Sequence, residues 1–113
     1  MARSEELPIY RASYDLLEKL VVLARDLPKF FRYSLGVRMV DLCLNILGLI
    51  YRANMDKAQR RQVIDELIIS YRQLQMLLRV CYTQKALSTG RYAVLVELLD
   101  SIGRQATAWR NGV

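Results

Sequence analysis

Hydrophobic side chains recur along this chain at alternating gaps of three and four residues, the spacing of an amphipathic α-helix. Three short interruptions break the pattern: a proline at position 28, a turn at residues 54–57 and a connection at 84–90. The pattern therefore predicts four helices, at residues 7–27, 29–53, 56–82 and 89–110. Because the connections are short, we expect an all-α fold: a single-domain, antiparallel up-down-up-down four-helix bundle over residues 1–113.

Three of the predicted helices have a seam of apolar side chains that we expect to face the core. In the first helix the seam comprises Tyr10, Tyr14, Leu17, Val21 and Ala24. In the third helix it comprises Ile64, Leu67, Tyr71, Leu74, Leu78 and Cys81. In the fourth helix it comprises Tyr92, Leu95, Leu99, Ile102, Ala106 and Trp109. Asp56 is the expected N-cap of the third helix, and Ser88 or Thr89 that of the fourth.

Two helices carry more apolar surface than a lone bundle needs. The second helix is apolar nearly all round, except for one polar strip made of Ser34, Arg38, Asp41, Asn45 and Arg52, with Gly48 at its edge. The third helix has a second apolar line opposite its core seam, made of Ile69, Met76 and Val80. Exposed apolar lines of this kind mark interfaces, so we expect a homo-oligomer rather than a monomer.

Gly103 interrupts the fourth predicted helix, where a glycine costs roughly 1 kcal/mol against alanine. The missing side chain lets another helix come close, which gives this cost a packing explanation. We therefore assign four residues to an oligomer interface: Ile69, Met76, Val80 and Gly103.

The charge of the chain favours an anionic partner. The net charge is +6, and thirteen of the seventeen basic residues are arginines, whose planar fork matches phosphate geometry. A GC-rich genome that favours arginine codons is the alternative explanation. Arg61, Arg72 and Arg79 share a narrow sector of the third helix and span about 27 Å, so they can follow a phosphate backbone.

Further basic residues extend this candidate nucleic-acid-binding surface. Lys85 and Arg91 flank the last connection, and Arg104 follows the helical glycine, which completes the set Arg61, Arg72, Arg79, Lys85, Arg91 and Arg104. The alternative is an ordinary solvated face, in which Arg61 pairs with Asp65 and Arg104 pairs with Asp100. Tyr33 and Tyr92 are candidates for stacking on bases, although most of the seven tyrosines lie on apolar arcs.

The chain lacks the residues of most catalytic sites. It has no histidine, which excludes histidine-based acid-base catalysis and histidine metal ligands, and it has no phosphate-binding glycine loop. Cys43 and Cys81 fall in apolar helical runs and are expected to be reduced core residues of a cytoplasmic protein. We therefore expect no enzyme activity, metal, cofactor or small-molecule substrate, and no membrane-spanning segment. A small bundle enzyme of the chorismate mutase type is disfavoured because the seams are almost purely apolar.

Three stretches of the chain resemble a known family: LPIYRASYDLLEKLVVLARDLPK, YSLGVRMVDLCLNILGLIYRAN and SIGRQATAWRNG. The family comprises small bacterial four-helix-bundle proteins encoded in intervening sequences of 23S ribosomal RNA genes, together with the accessory variability determinant of diversity-generating retroelements. The resemblance to the retroelement members implies a ring-like homo-oligomer, typically a pentamer. It also implies binding to a reverse transcriptase and to template RNA, with DNA as a further candidate, in support of mutagenic cDNA synthesis. Basic residues late in the family's third helix correspond to Arg72 and Arg79, and its Gly-Arg signature to Gly103 and Arg104.

Two branches of this family stay open as interpretations. The high positive charge favours the retroelement branch, and hence a non-enzymatic, nucleic-acid-binding accessory protein. The alternative is a structural or interaction protein of the ribosomal intervening-sequence branch, which has no direct role in RNA binding.

Overall fold

The computed structural model describes residues 2–113 and shows four long helices. We number them α1 (Pro8–Asp26), α2 (Lys29–Met55), α3 (Arg60–Thr83) and α4 (Thr89–Asn111), and a short 3₁₀ turn at Ser4–Glu6 precedes them. The part of the chain that is described contains no β-strand, and its overall dimensions are 43 × 21 × 21 Å. The predicted all-helical bundle is thereby confirmed.

Contacts between neighbouring helices establish their antiparallel order. The Cys43 thiol of α2 donates to the carbonyl oxygen of Ser13 in α1, at 3.4 Å. Between α2 and α3, the Asn45 side chain donates to the Ser70 hydroxyl at 2.8 Å. Each helix packs mainly against two neighbours, in the cyclic order α1, α2, α3 and α4. The ends of α1 and α3 therefore lie beside the beginnings of α2 and α4.

The buried seams of α3 and α4 agree with the prediction, whereas the predicted seam of α1 is wrong. Every predicted seam residue of α3 is buried, as are Leu95, Leu99, Ile102 and Ala106 of α4. In α1, Tyr14 is 51% exposed and Val21 is 47% exposed. The core side of α1 consists instead of Ile9, Ser13, Leu16, Leu20 and Leu23. Two apolar lines lie side by side on α1, and packing against α4 as well as α2 selects the neighbouring one.

The turn before α3 differs from the prediction by about one helical turn. Asp56 accepts a hydrogen bond from the backbone amide of Gln59 at 3.2 Å, so it closes the turn that precedes the helix. The helix itself begins at Arg60, whose guanidinium donates to the carbonyl oxygens of Ala53 at 2.7 Å and Asn54 at 3.0 Å. Arg60 therefore satisfies carbonyl groups at the end of α2. The predicted Ser88 cap of α4 is present, because its hydroxyl accepts from the Arg91 amide at 3.2 Å.

A π-helical turn at Arg32–Gly36 widens the first part of α2. A Cβ atom on Gly36 would lie 3.1 Å from the Cβ of Ala24, so the glycine allows α2 to approach α1 closely. The Arg32 guanidinium donates to the carbonyl oxygen of Leu27 at 3.2 Å and ties the turn to the end of α1. Short π segments are frequent at functional sites, and this one lies at the end of the bundle that contains the α1–α2 turn.

Helix α2 is long and apolar enough to cross a membrane by length and composition. Buried helices of soluble bundles meet the same criteria, so the expected absence of a membrane-spanning segment stays a prediction. Only 39% of the most apolar part of α2 is buried inside the chain. The helix therefore presents apolar surface that the single chain does not cover.

Candidate nucleic-acid interface

The three arginines predicted to form a line on α3 are all exposed. Arg61 lies near the beginning of α3, Arg72 at its middle and Arg79 near its end. The alternative pairing of Arg61 with Asp65 is not formed, because Asp65 pairs with Arg110 of α4 instead. Arg61, Arg72 and Arg79 are thus exposed, and none has a carboxylate partner within residues 2–113.

Arg72 and Arg104 line one groove between α3 and α4, with a volume of about 510 Å³. Tyr71 and Gly103 also line it, and the Arg72 guanidinium carbon lies 5.8 Å from the centre of the Tyr71 ring. Asp100 lines the same groove without forming the alternative ion pair with Arg104, as far as the described residues show. The structure therefore brings two predicted phosphate-binding residues together, beside one carboxylate.

Gly103 has its close neighbour inside the same chain. A Cβ atom at this position would lie 2.5 Å from the hydroxyl oxygen of Tyr71 and 2.6 Å from the ring carbon that bears it. The glycine is buried, and α3 of its own protomer occupies the space that the missing side chain leaves. The assignment of Gly103 to a contact between copies is therefore corrected to intrachain packing. Ile69, Met76 and Val80, at 59%, 58% and 37% exposure, are free to meet another molecule.

Lys85 and Arg91 both lie at the end of the bundle where α3 gives way to α4. Lys85 takes a left-handed backbone conformation, with φ of 60°, and it ends α3 while its side chain is exposed. Arg91 is half-buried and forms an ion pair with Asp26 of α1 at 3.1 Å. Arg91 therefore links this end of α4 to the end of α1 and lies on another side of the bundle from the line on α3.

The two tyrosines considered for base stacking have different surroundings. The Tyr92 ring is stacked on Tyr82, with centroids 4.2 Å apart and planes within 4° of parallel. The Tyr92 ring therefore already stacks on a ring of its own chain, and this face is not available to a base. Tyr33 is 67% exposed, and the nearby Phe30 is 76% exposed, the highest value among the large hydrophobic side chains described.

Residues 25–38 and 79–91 together carry the whole net charge of the protein. They contain seven basic residues and one acidic residue, Asp26, while the rest of the chain has ten of each sign. The first segment contains the α1–α2 turn and the second the α3–α4 connection, which the Arg91–Asp26 ion pair joins. We call these two segments the basic end. Its basic residues are Arg25, Lys29, Arg32, Arg38, Arg79, Lys85 and Arg91.

Most of the positive charge at the basic end has no carboxylate partner. Over residues 2–113, only Arg91 of these seven residues forms an ion pair. The sequence-based candidates included Arg79, Lys85 and Arg91 but missed Arg25, Lys29, Arg32 and Arg38. These four residues could have been found by counting acidic residues in the segments that the antiparallel order brings to one end of the bundle. Seven cations beside one anion produce a positive field that attracts polyanions.

The two cysteines have the environment of core residues. Burial raises the pKa of the Cys43 thiol to about 12, and it also raises the pKa of Cys81. Both thiols are therefore protonated at neutral pH and poorly suited to bind a metal. The part of the chain that the structure describes contains no cluster of three potential metal-ligating side chains.

Comparison with known proteins assigns the chain to a family. No curated protein matches the chain. The model of the bAvd-like family matches residues 8–113, a range that includes all four helices. The chain therefore belongs to the bAvd-like family of Avd-type proteins.

Proposed function

We propose that this protein is a non-enzymatic accessory protein that binds the template RNA and the reverse transcriptase of a diversity-generating retroelement, and thereby supports mutagenic cDNA synthesis. One observation carries the RNA-binding part: the basic end holds seven cations and one carboxylate. Membership of the bAvd-like family supports the retroelement setting. The lack of histidine supports an accessory rather than a catalytic role.

The chemistry of the basic end suits a phosphate backbone. Six of its seven basic residues lie outside the Arg91–Asp26 ion pair. Five of these six are exposed, and the sixth, Arg32, is half-buried at the π turn. Guanidinium groups bind phosphate oxygens through two parallel hydrogen bonds, which makes arginine more effective than lysine at such contacts. Binding of this type releases counterions and weakens as salt is added.

Two separate apolar strips support assembly into a homo-oligomer. The α2 strip consists of Val37, Leu44, Tyr51 and Met55, each about half exposed, and the α3 strip of Ile69, Met76 and Val80. Polar contacts separate them, including the Asn45–Ser70 hydrogen bond and the Arg52–Glu66 ion pair at 3.6 Å. Two different patches on one chain favour a heterologous contact, in which each copy presents one patch to the next, and such contacts form a ring when the rotation between copies closes.

A ring built in this way would gather the basic ends. Both strips run along the helices, so neighbouring copies would pack side by side. Cyclic symmetry gives every copy the same direction along the ring axis, so all basic ends would lie at one rim. That rim would carry a net charge of +6 from each copy.

RNA binding as a function of salt tests the first part of the proposal. We expect a single-stranded RNA to bind the purified protein with an affinity that falls about 100-fold between about 50 and about 200 mM salt, for five phosphate contacts at roughly −0.7 per contact. An affinity that does not depend on salt, or no RNA binding at all, would refute it. The second outcome would favour the alternative of an interaction protein without a direct RNA role.

Two further measurements test the partner and the assembly. Co-expression with the reverse transcriptase should yield a complex that survives removal of RNA by nuclease. Loss of the complex after nuclease treatment would contradict a direct protein contact. Light scattering should give a mass of at least three times 13.1 kDa, and a monomer or a dimer would contradict the ring.

A further inference from the structure

Phe30 and Tyr33 expose more of their side chains to solvent than any other large hydrophobic residue described, at 76% and 67%. Both lie in the first part of α2, three residues apart. The core of the bundle does not need them, since the buried cluster extends only to the half-buried Phe31 in this segment. Exposed aromatic rings are costly in water, and these two lie within the basic end.

The backbone that carries the two rings is held in place. The Ser34 hydroxyl donates to the carbonyl oxygen of Phe30 at 2.7 Å, and Arg32 donates to the carbonyl oxygen of Leu27 at 3.2 Å. The Phe30 ring packs edge-on against Phe31, with centroids 5.5 Å apart. The contact with Phe31 limits the rotation of the Phe30 ring before a partner arrives, which lowers the entropic cost of binding.

Cations lie close to these rings in the sequence. Lys29 and Arg32 flank Phe30 and Tyr33, and Arg25 and Arg38 lie on either side of the turn. Within the described chain, Arg25, Lys29 and Arg38 have neither an ion pair nor a side-chain hydrogen bond. Flat aromatic faces among unpaired cations are the combination by which proteins bind single strands: cations follow the backbone while rings stack on bases.

We infer that the basic end binds single-stranded nucleic acid in preference to a duplex, with Phe30 and Tyr33 stacking on unpaired bases. This inference rests on the proposed RNA binding. It adds that the ligand is single-stranded and that Phe30 and Tyr33 distinguish a single strand from a duplex. In a duplex the base faces are covered by neighbouring base pairs, so the rings gain nothing there. An anionic membrane is the competing partner, but its surface attracts lysine and arginine alike, whereas this chain strongly favours arginine.

Substitution of the two aromatics tests this inference. Phe30→Leu and Tyr33→Ala should each lower the affinity for an unstructured RNA strand about tenfold. Leucine retains much of the apolar bulk and removes the flat ring. Neither change should alter the slope of affinity against salt, because no charge is removed, and neither should affect a duplex of the same sequence. Tyr14→Ala is the matched control, since Tyr14 is 51% exposed but lies outside the basic end.

Four results would overturn the inference. The first is that Phe30→Leu and Tyr33→Ala bind single-stranded RNA as tightly as the wild type does, while wild-type binding still depends strongly on salt. The proposed function would then survive. The second is an equal loss in Tyr14→Ala. The third is that light scattering gives Phe30→Leu or Tyr33→Ala a different oligomer mass from the wild type. That result would assign the two aromatic side chains to contacts between copies. The fourth is that vesicles of phosphatidylserine and phosphatidylcholine bind the wild type through Phe30 and Tyr33 while RNA affinity stays unchanged.

Discussion

The two ends of the bundle carry the same number of basic residues and differ in their acidic ones. The basic end has seven cations and one carboxylate, whereas the opposite end, residues 2–8, 51–66 and 104–113, has seven cations and five carboxylates. At the opposite end, Arg3 pairs with Glu5, Arg52 with Glu66 and Arg110 with Asp65. The positions of the carboxylates, more than the number of arginines, therefore decide where a polyanion is attracted.

More cations have structural contacts at the opposite end than at the basic end, where only Arg32 and Arg91 have them among the described residues. Arg60 binds two carbonyl oxygens at the end of α2, at 2.7 and 3.0 Å. Arg110 joins α4 to α3 through Asp65. The opposite end thus uses more of its basic residues to hold the chain together, and the basic end leaves more of them available to a ligand.

Charge reversal at the two ends should have the most unequal effect. Lys29→Glu combined with Arg38→Glu should lower RNA affinity on the order of 100-fold at low salt, because phosphate contacts are lost and repulsion is added. The matched pair Lys57→Glu and Arg61→Glu makes the same change of charge at the opposite end, where we expect a loss of only a few-fold. Fluorescence anisotropy with a labelled RNA measures both, and equal losses would show that total charge alone matters.

The structural task of Arg60 predicts a stability difference. Arg60→Met should lower the free energy of unfolding by about 1–3 kcal/mol, because two carbonyl oxygens lose their partner, and it should leave RNA affinity unchanged. Arg38→Met should leave stability within about 0.5 kcal/mol and weaken RNA binding. Urea unfolding followed by circular dichroism provides the comparison. Similar stabilities for the two variants would contradict the division of tasks.

Removal of the one carboxylate at the basic end should strengthen binding slightly. Asp26→Asn frees Arg91 and removes one negative charge, so we expect RNA affinity to rise a few-fold at low salt. Asp56→Asn is the control at the opposite end, where Asp56 has no ion pair among the described residues and closes only a turn. A larger gain in the control than in Asp26→Asn would contradict the role assigned to the basic end.

The packing of the core around Cys43 should be unchanged in the charge-reversal variants. Burial raises the Cys43 pKa to about 12, so the thiol should resist maleimide at about pH 8 in the wild type and in both charge-reversal variants. Because the pKa is higher in the folded state than in the unfolded chain, stability should fall as the pH rises from about 9 towards about 12. Rapid labelling in one variant would show that its binding defect reflects unfolding.

The periodicity of the sequence was sufficient to predict the helices but not to predict which face of each helix points to the core. The seams of α3 and α4 could be predicted because each has one dominant apolar line. In α1, Tyr14 and Val21 belong to a line that competes with Leu16, Leu20 and Leu23, and only packing against two neighbours decides between the lines. The start of α3 was placed too early because Asp56 can close a turn as well as cap a helix.

The candidate site could be predicted only in part, because a charge surface depends on how segments are brought together. The line of Arg61, Arg72 and Arg79 follows from one helix alone. The basic end joins segments about fifty residues apart in sequence, and the Arg91–Asp26 contact that connects them is not visible in a single helix. Gly103 shows the same limit, since its partner Tyr71 lies on another helix of the same chain.

The slope of RNA affinity against salt, compared between the two ends, tests the central claim most directly. Lys29→Gln with Arg38→Gln should reduce the magnitude of the slope by about 1.4, for two phosphate contacts at roughly 0.7 each. Lys57→Gln with Arg61→Gln should leave the slope at its wild-type value, because the proposal restricts the binding surface to the basic end and leaves Arg61, although predicted from the sequence, outside it. An unchanged slope in the first pair, or an equal reduction in both, would contradict the account that one end of the bundle binds the polyanion.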